Sequence, residues 1–293
     1  MPVAARASGL VGFLVVALGL GGCEPGTDEK PDAAGPSTLS LQDQGGRTVE
    51  LAGPPERVIS RVPASTQVIL ALDEGERLVG RTEYDTSLEL THLPSVGQGL
   101  HPSLERLVSL EPDLVVRFQG PQDRDTPQAL DRAGIPHLGV RPDRIVDVLQ
   151  MVELLSRALG REDRGRALHS RIRGELEEVA RRVEDASRPE VAFLLGGDPP
   201  WIVTDDTFLH ELLEIAGGRN ALGDLGTLYA PVSVEAIVQR QVDIVLAPES
   251  ATIPAALRAM DVRRVPDAVQ SPGVGLGASA RAISEVLHPE IRP

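Results

Sequence analysis

Cysteine is nearly absent from this chain of 293 residues, because Cys23 is the only one. No disulfide can therefore form within the chain. Lysine is equally scarce: Lys30 is the only lysine among 29 basic residues, which face 43 acidic ones. The resulting net charge of −14 gives no basic surface for a phosphate backbone, so nucleic acid is excluded as a partner.

The chain also lacks the spacings that mark metal sites and common active sites. No two of its six histidines have the separation of zinc ligands on one helix or turn. The motifs GxSxG, GxxxxGK[ST] and HExxH are missing, and GVGLG at 273–277 has no strand and helix around it. We therefore predict a protein that is not an enzyme and that holds no resident metal or cofactor.

The first 23 residues contain the pattern of an export signal. Arg6 precedes the apolar run GLVGFLVVALGLGG, which is too short and too rich in glycine for a membrane span. The following LGGC resembles a bacterial lipobox, which implies cleavage before Cys23 and a lipid on its sulfur; an incidental buried thiol is the alternative. The lipobox places the mature protein in the periplasm or cell envelope, tethered to the membrane by its lipid.

Two segments of fourteen residues repeat one another. Residues 103–116 read SLERLVSLEPDLVV and residues 233–246 read SVEAIVQRQVDIVL, with five identical positions. Each has a serine suited to cap a helix, a glutamate in the first helical turn, and an apolar run typical of a covered strand. Two such units predict two similar lobes, in agreement with the length and a hydrophobic content of 41%.

Strands and helices alternate from residue 57 onward, which predicts parallel, covered sheets. The most helical stretch lies between the repeats, at 143–159 and 162–185. The predicted fold class is α/β, with two lobes of mostly parallel sheets joined by one long backbone helix. Apolar and polar residues alternate in 39–51 on both sides of Gly45-Gly46, which predicts a hairpin with its turn at the two glycines. The predicted division is a signal peptide (1–22), a flexible tether (23–47), an N-terminal lobe (48–160), a connecting helix (161–186) and a C-terminal lobe (187–293).

Four longer stretches carry a family resemblance. They are ERVISRVPASTQVILALDEGERLVGRTEY, LPSVGQGLHPSLERLVSLEPDLVV, TFLHELLEIAGGRNAL and PVSVEAIVQRQVDIVLAPE. Together they resemble the class III substrate-binding lipoproteins of ABC importers for cobalamin, haem and ferric siderophores. The resemblance implies a monomer that binds a metal chelate between its lobes, with a permease dimer and its ATPase subunits as partners.

The resemblance also implies a role for the glutamate of each repeat. In this family one glutamate on each lobe engages arginines of the two permease subunits, and the matching residues are Glu105 and Glu235. A rigid body with two separated carboxylates suits a two-fold partner. The alternative is that each carboxylate only stabilises the N-terminus of its own helix.

Aromatic residues make up only 2% of the chain, and four of them lie where loops after strands are predicted. A ligand is expected between such loops in the interlobe cleft. Tyr84 and Phe118 follow strands of the first lobe, Trp201 lies in GGDPPW, and Tyr229 precedes the second repeat. Cobalamin-binding members have a similar Pro-Pro-aromatic stretch in the pocket, so the resemblance favours Trp201 and Tyr84 as ligand contacts.

Two arginines bear on the ligand's identity. Arg61 follows the first strand and Arg117 precedes Phe118, so either is a candidate partner of a ligand carboxylate, phosphate or catecholate; an ion pair with a neighbouring acid is the alternative. Haem-binding relatives offer a tyrosine near VGQGL, where this chain has Gln98. We predict a corrinoid such as cobalamin, with a ferric siderophore or haem as alternatives. A lipid-anchored sensor or scaffold with the same fold is the alternative of another class.

Overall fold

The computed structural model describes residues 38–226 and 228–291 of the chain. The predicted signal peptide, the predicted lipidation site Cys23 and most of the predicted tether lie outside the described residues. The tether prediction is too long at its C-terminal end, because Leu39–Gln42 is a strand that pairs with Thr48–Leu51. The two strands form the hairpin that the alternating sequence predicts.

Twelve strands in the described ranges form three sheets. The strands are β1 (Leu39–Gln42), β2 (Thr48–Leu51), β3 (Val58–Ser60), β4 (Leu78–Gly80), β5 (Leu114–Phe118), β6 (His137–Val140), β7 (Glu190–Gly196), β8 (Trp201–Val203), β9 (Arg219–Asn220), β10 (Tyr229–Pro231), β11 (Ile244–Pro248) and β12 (Val262–Val265). The first two form the hairpin, and each of the other sheets is the centre of one lobe.

Eight α-helices accompany these strands in the same ranges. They are α1 (Pro63–Ala71), α2 (Leu104–Ser109), α3 (Asp125–Ala133), α4 (Ile145–Ala158), α5 (Glu162–Arg182), α6 (Phe208–Ile215), α7 (Val234–Val238) and α8 (Leu276–Leu287). None of these helices combines the length and apolarity needed to cross a bilayer.

The sheet of the N-terminal lobe has the order β4-β3-β5-β6, and all four strands are parallel. Val58, Val116 and Leu138 on three of these strands are fully buried. Runs of branched apolar residues suit such strands because both faces of the sheet are covered. The carboxyl ends of the strands therefore lie at one edge, and the loops that follow them are the expected ligand loops.

The sheet of the C-terminal lobe has the order β10-β8-β7-β11-β12, with β9 beside the start of β7. The strands β7, β11 and β12 are parallel, whereas β8 runs antiparallel to both β7 and β10. The sequence did not indicate β8 or β10, because each has only three residues and Pro199-Pro200 interrupts the pattern before β8. The predicted mostly parallel α/β class is confirmed for the centre of both lobes.

Helix α5 connects the lobes and has 21 residues, which gives a length of about 32 Å. Its buried residues Leu168, Ile172 and Leu176 recur at intervals of four, so one side faces the core. The helix packs on α4 of the N-terminal lobe and on α6 and α8 of the C-terminal lobe. A side chain at Gly165 would clash with Ser156 of α4, so this glycine permits the close approach of the two helices.

One apolar core runs through both lobes, from Leu41 of the hairpin to Ile283 of α8. The hairpin turn is bonded to the N-terminal lobe as well. Asp43 accepts a hydrogen bond from the backbone N–H of Gly139 at 2.9 Å, and the Gln44 amide donates to the carbonyl of Asp147 at 2.8 Å. The chain therefore enters the folded body against β6 and the start of α4.

Candidate functional site

The two repeats fold as the same helix and strand unit, α2 with β5 in one lobe and α7 with β11 in the other. Ser103 Oγ accepts a hydrogen bond from the backbone N–H of Arg106 at 3.4 Å, and Ser233 Oγ accepts one from Ala236 at 3.2 Å. Both serines thus cap their helices, as the sequence predicts.

The aspartates of the repeats attach each strand to its neighbour. Asp113 accepts hydrogen bonds from the backbone N–H groups of Glu56 and Arg57 at 2.8 and 2.9 Å. Asp243 accepts one from the N–H of Glu190 at 2.8 Å. Glu56 and Arg57 immediately precede β3, and Glu190 is the first residue of β7. Asp113 therefore holds the start of β5 beside β3, and Asp243 holds the start of β11 beside β7.

The glutamates of the repeats are exposed on the same turn of the two helices. Glu105 and Glu235 are each the second residue of their helix, and neither side chain makes a hydrogen bond or ion pair with another described residue. The next residues that face inward, Leu107 and Ile237, are fully buried. Each helix is therefore anchored by one apolar residue and presents a free carboxylate to solvent.

Two of the candidate aromatic residues share one face of the C-terminal sheet. Tyr229 is the partner of Val203 in the register of β10 and β8, and Trp201 lies two residues from Val203 on the same strand. Partners in a register point to the same side, and so do alternate residues of a strand, so Trp201 and Tyr229 are diagonal neighbours. The indole is 46% exposed. Burial raises the pKa of the Tyr229 phenol, and the charge of Asp143 from the other lobe adds to the shift.

Tyr84 is presented by a tight turn after β4. The Asp85 carboxylate accepts hydrogen bonds from the N–H and the hydroxyl of Thr82, at 2.9 and 2.7 Å. Thr82 Oγ1 in turn accepts one from the N–H of Tyr84 at 3.2 Å. Thr82 and Asp85 are buried while Tyr84 is 59% exposed, so a rigid turn holds an accessible aromatic ring. Phe118, at the end of β5, is half-buried against the core.

The two candidate arginines are buried and share one carboxylate. Asp123 Oδ1 lies 3.4 Å from Arg61 Nη2, and its Oδ2 lies 3.6 Å from Arg117 Nη1. The structure therefore contains the ion pairs that were the alternative to ligand contact. Burial lowers the pKa of both guanidinium groups, and the charge of Asp123 opposes that shift. Arg61 Nε and Nη1 have no hydrogen-bond partner among the described residues.

His137 extends this charged network to the far side of β6. Arg117 Nε donates to His137 Nδ1 at 3.0 Å, so the ring hydrogen is on Nε2, which lies 3.2 Å from Asp131 Oδ1. A hydrogen bond from Arg47 is the main cause that lowers the pKa of Asp131 to about 2. Burial lowers the pKa of His137, and the charges of Arg117 and Arg47 act in the same direction. The imidazole is therefore neutral near pH 7.

A model of the family described as periplasmic binding protein matches residues 58–271, which is more than half of the chain and includes sheet strands of both lobes. The chain belongs to the periplasmic binding protein family. The family consists of substrate-binding transport proteins, and two lobes joined by one long helix are the class III form that the sequence predicts.

Individual proteins are similar to this chain over between 78% and 97% of its length. The Bacillus subtilis (strain 168) protein named uncharacterized ABC transporter substrate-binding lipoprotein YvrC is 26% identical, and the match covers 97% of this chain and 98% of that protein. A cobalamin-binding protein of Halobacterium salinarum (strain ATCC 29341 / DSM 671 / R1) is 28% identical over 78% of this chain and 63% of that protein. The apo structure of the periplasmic heme-binding protein RhuT of Roseiflexus sp. RS-1 superposes with a TM-score of 0.70 at 24% identity, covering 81% and 99% of the two chains.

Polar contacts join the two lobes of this periplasmic binding protein. Glu211 of α6 accepts hydrogen bonds from Arg144 Nε at 2.9 Å and from the backbone N–H of Ile145 at 2.6 Å. Gln67 of α1 donates to Ser271 Oγ at 3.2 Å. Sequence reasoning missed these residues because each is a single polar residue whose partner is distant in sequence, and no periodic pattern links the two. It missed Asp123 for the same reason.

The structure thus places Trp201 beside Tyr229 on one lobe and holds Tyr84, Phe118, Arg61 and Arg117 on the other. In residues 38–226 and 228–291, no three His, Cys, Asp or Glu side chains are arranged to hold a metal ion. Contact with a ligand stays a prediction for all six residues.

Proposed function

We propose that this periplasmic binding protein captures a corrinoid between its lobes and delivers it to an ABC permease dimer driven by ATPase subunits. The observation that carries the proposal is the pair of exposed glutamates, Glu105 and Glu235, at the same position of two equivalent helices. Charge-assisted contacts between carboxylates and arginines are strong and directional. A single body with two such carboxylates matches a partner that presents two similar subunits.

The alternative role of these glutamates is weaker in physical terms. A carboxylate in the first turn of a helix stabilises it by about 0.3–1 kcal/mol, and these helices have only six and five residues. The capping serines already satisfy one backbone donor in each helix. Helix stabilisation alone therefore gives little reason for an exposed glutamate at both places.

Exposed aromatic rings support the proposed ligand class. Tyr84 and Trp201 offer accessible flat surfaces from a tight turn and from the start of β8, and Tyr229 lies beside the indole. A corrinoid is a large ring system that binds through flat apolar contacts with a few hydrogen bonds. The likeness to a cobalamin-binding protein supports the same class. Haem and ferric siderophores are the other ligands to be tested.

Phe118 and the buried arginines are proposed as secondary contacts. Arg61 lies just after β3, at the carboxyl edge of the sheet, and its Nε and Nη1 have no hydrogen-bond partner among the described residues. An oxygen atom of the ligand that reached this edge would satisfy them. The Asp123 carboxylate would hold both guanidinium groups in place.

Titration of a soluble form tests the ligand. The Cys23→Ser variant, expressed from residue 23 onward, is titrated with cobalamin, haemin and ferric siderophores by calorimetry and by tryptophan fluorescence. Trp201 is the only tryptophan, so quenching by a bound ligand also locates the site. We expect cobalamin to bind and to quench the fluorescence, and Trp201→Ala to weaken binding about tenfold. Absence of binding by all three classes would contradict the proposal.

The lipid anchor belongs to the same proposal. We propose that Cys23 carries a lipid that tethers the mature protein at the periplasmic side of a membrane, with the body acting as a monomer. In a bacterial host, the wild-type chain should fractionate with membranes and Cys23→Ser should be released as a soluble protein. A membrane-bound Cys23→Ser variant would contradict the anchor without affecting the ligand test.

A further inference from the structure

The two repeats share five identical positions, and the fold explains only three of them. The serines cap helices, the aspartates attach strands, and the valines of β5 and β11 are buried. These explained pairs are Ser103 with Ser233, Asp113 with Asp243 and Val115 with Val245. The other two pairs, Glu105 with Glu235 and Val108 with Val238, lie on the surface.

The exposed valines are unusual for their positions. Val108 is 44% exposed and Val238 is 57% exposed, which places both among the most exposed large apolar residues of the described chain. Each valine belongs to a helix of six or five residues, and its nearest apolar neighbour in the repeat, Leu107 or Ile237, faces the core instead. Packing within the body therefore does not account for the valines.

Each valine lies beside the proposed docking glutamate. Val108 follows Glu105 by three residues within α2, and Val238 follows Glu235 by three residues within α7. Residues three apart are neighbours on one side of a helix. We call these two surfaces the docking faces, each defined by its glutamate and valine. Each face presents a carboxylate next to an uncovered apolar group.

We infer that Val108 and Val238 are contact residues for the permease, where each packs on an apolar rim next to the arginine that receives the neighbouring glutamate. This inference rests on the proposed docking function. An apolar contact beside an ion pair excludes water from it, and exclusion of water strengthens the attraction between the charges. The partner that fits is therefore a membrane protein with two similar sites, each an arginine bordered by apolar side chains.

Substitution of the valines tests the inference on the intact folded body. Binding of the soluble Cys23→Ser form to an ABC permease–ATPase complex from the same organism is measured in lipid nanodiscs. Burial of a valine is worth about 1.5 kcal/mol, so Val108→Ser and Val238→Ser should each weaken binding about tenfold, and the double variant about a hundredfold. The matched control is Val146→Ser, because Val146 is 48% exposed on α4 and lies outside both repeats.

The outcomes separate this inference from the docking proposal. If the glutamate double variant loses binding while both serine variants bind like the control, the role of the valines is wrong and the docking proposal stands. If the wild-type body does not bind, or the glutamate variant binds normally, both are wrong. Val108→Thr and Val238→Thr, which keep the branched shape, guard against misfolding and should weaken binding by a smaller factor. Ligand affinity should be unchanged in every variant.

Discussion

The two repeats have the same backbone but different surroundings. In the N-terminal lobe, Val115 of β5 is opposite His137, which belongs to a buried network of charges. In the C-terminal lobe the equivalent Val245 is opposite Val262, an apolar residue at the same place. The features that both lobes keep are the capping serine, the strand-fixing aspartate and the docking face. The serines and aspartates are shared because the fold uses them, the docking faces are shared if the proposed permease contact is correct, and charge within the sheet differs between the lobes.

Removal of both docking carboxylates should have the largest effect. Loss of one buried charge contact at an interface costs about 2 kcal/mol or more, so Glu105→Ala with Glu235→Ala should lower uptake about a thousandfold. Ligand affinity of the isolated protein should not change. The measurement is transport of labelled ligand in cells, and Glu162→Ala is the control because Glu162 lies in the first turn of α5. A normal transport rate in the double variant would refute the docking role.

Truncation of the buried apolar residue in the helix of each repeat should have the next largest effect, a loss of stability. Leu107 and Ile237 are fully buried, so Leu107→Ala and Ile237→Ala should each lower the free energy of unfolding by about 3 kcal/mol. Because the main core runs through both lobes, we expect urea to unfold each variant in one transition. Val238→Ala, at the surface, should change stability by less than about 0.5 kcal/mol. A second transition in only one variant would show that the lobes unfold separately.

Replacement of the repeat aspartate should lower the free energy of unfolding by different amounts in the two lobes. Asp113 accepts two backbone hydrogen bonds and Asp243 accepts one, so Asp113→Ala should lower the free energy of unfolding by about 2 kcal/mol and Asp243→Ala by about 1 kcal/mol. Asn at either position keeps one oxygen as acceptor, so Asp113→Asn and Asp243→Asn should lose less stability than the alanine variants. Urea unfolding measures the four variants. Equal losses for the two alanine variants would mean that the second bond to Asp113 adds nothing.

The smallest expected effect is a pH dependence that arises from a buried histidine of the N-terminal lobe. The pKa of His137 is lowered in the folded state, so between about 6.5 and that lower value only the unfolded chain binds the proton. The free energy of unfolding should therefore fall as pH falls below about 6.5. His137→Gln should reduce this slope. Urea unfolding at pH 7.5, 6.5 and 5.5 measures the slope, and identical slopes would contradict the assignment.

The sequence could predict what depends on local pattern. Ser103 and Ser233 signal helix starts, and the apolar runs after Asp113 and Asp243 signal covered strands, so the lobes and their order were predictable. The burial of Arg61 was not, because its partner Asp123 is distant in sequence and no spacing links them. Likewise, the short strands β8 and β10 depend on pairing with each other and with β7, which residue preference cannot reveal.

The hairpin of β1 and β2 determines where a pull on the N-terminal part of the chain reaches the folded body. Its turn is hydrogen-bonded to β6 and α4, so tension on the chain ahead of residue 38 is transmitted to the N-terminal lobe. The C-terminal lobe receives that tension through the shared apolar core, through α5 and through the polar contacts of Glu211 and Gln67 between the lobes. With the lipid anchor proposed at Cys23, a pull from the membrane would reach the N-terminal lobe first, and the core shared by both lobes would carry it to the two docking faces.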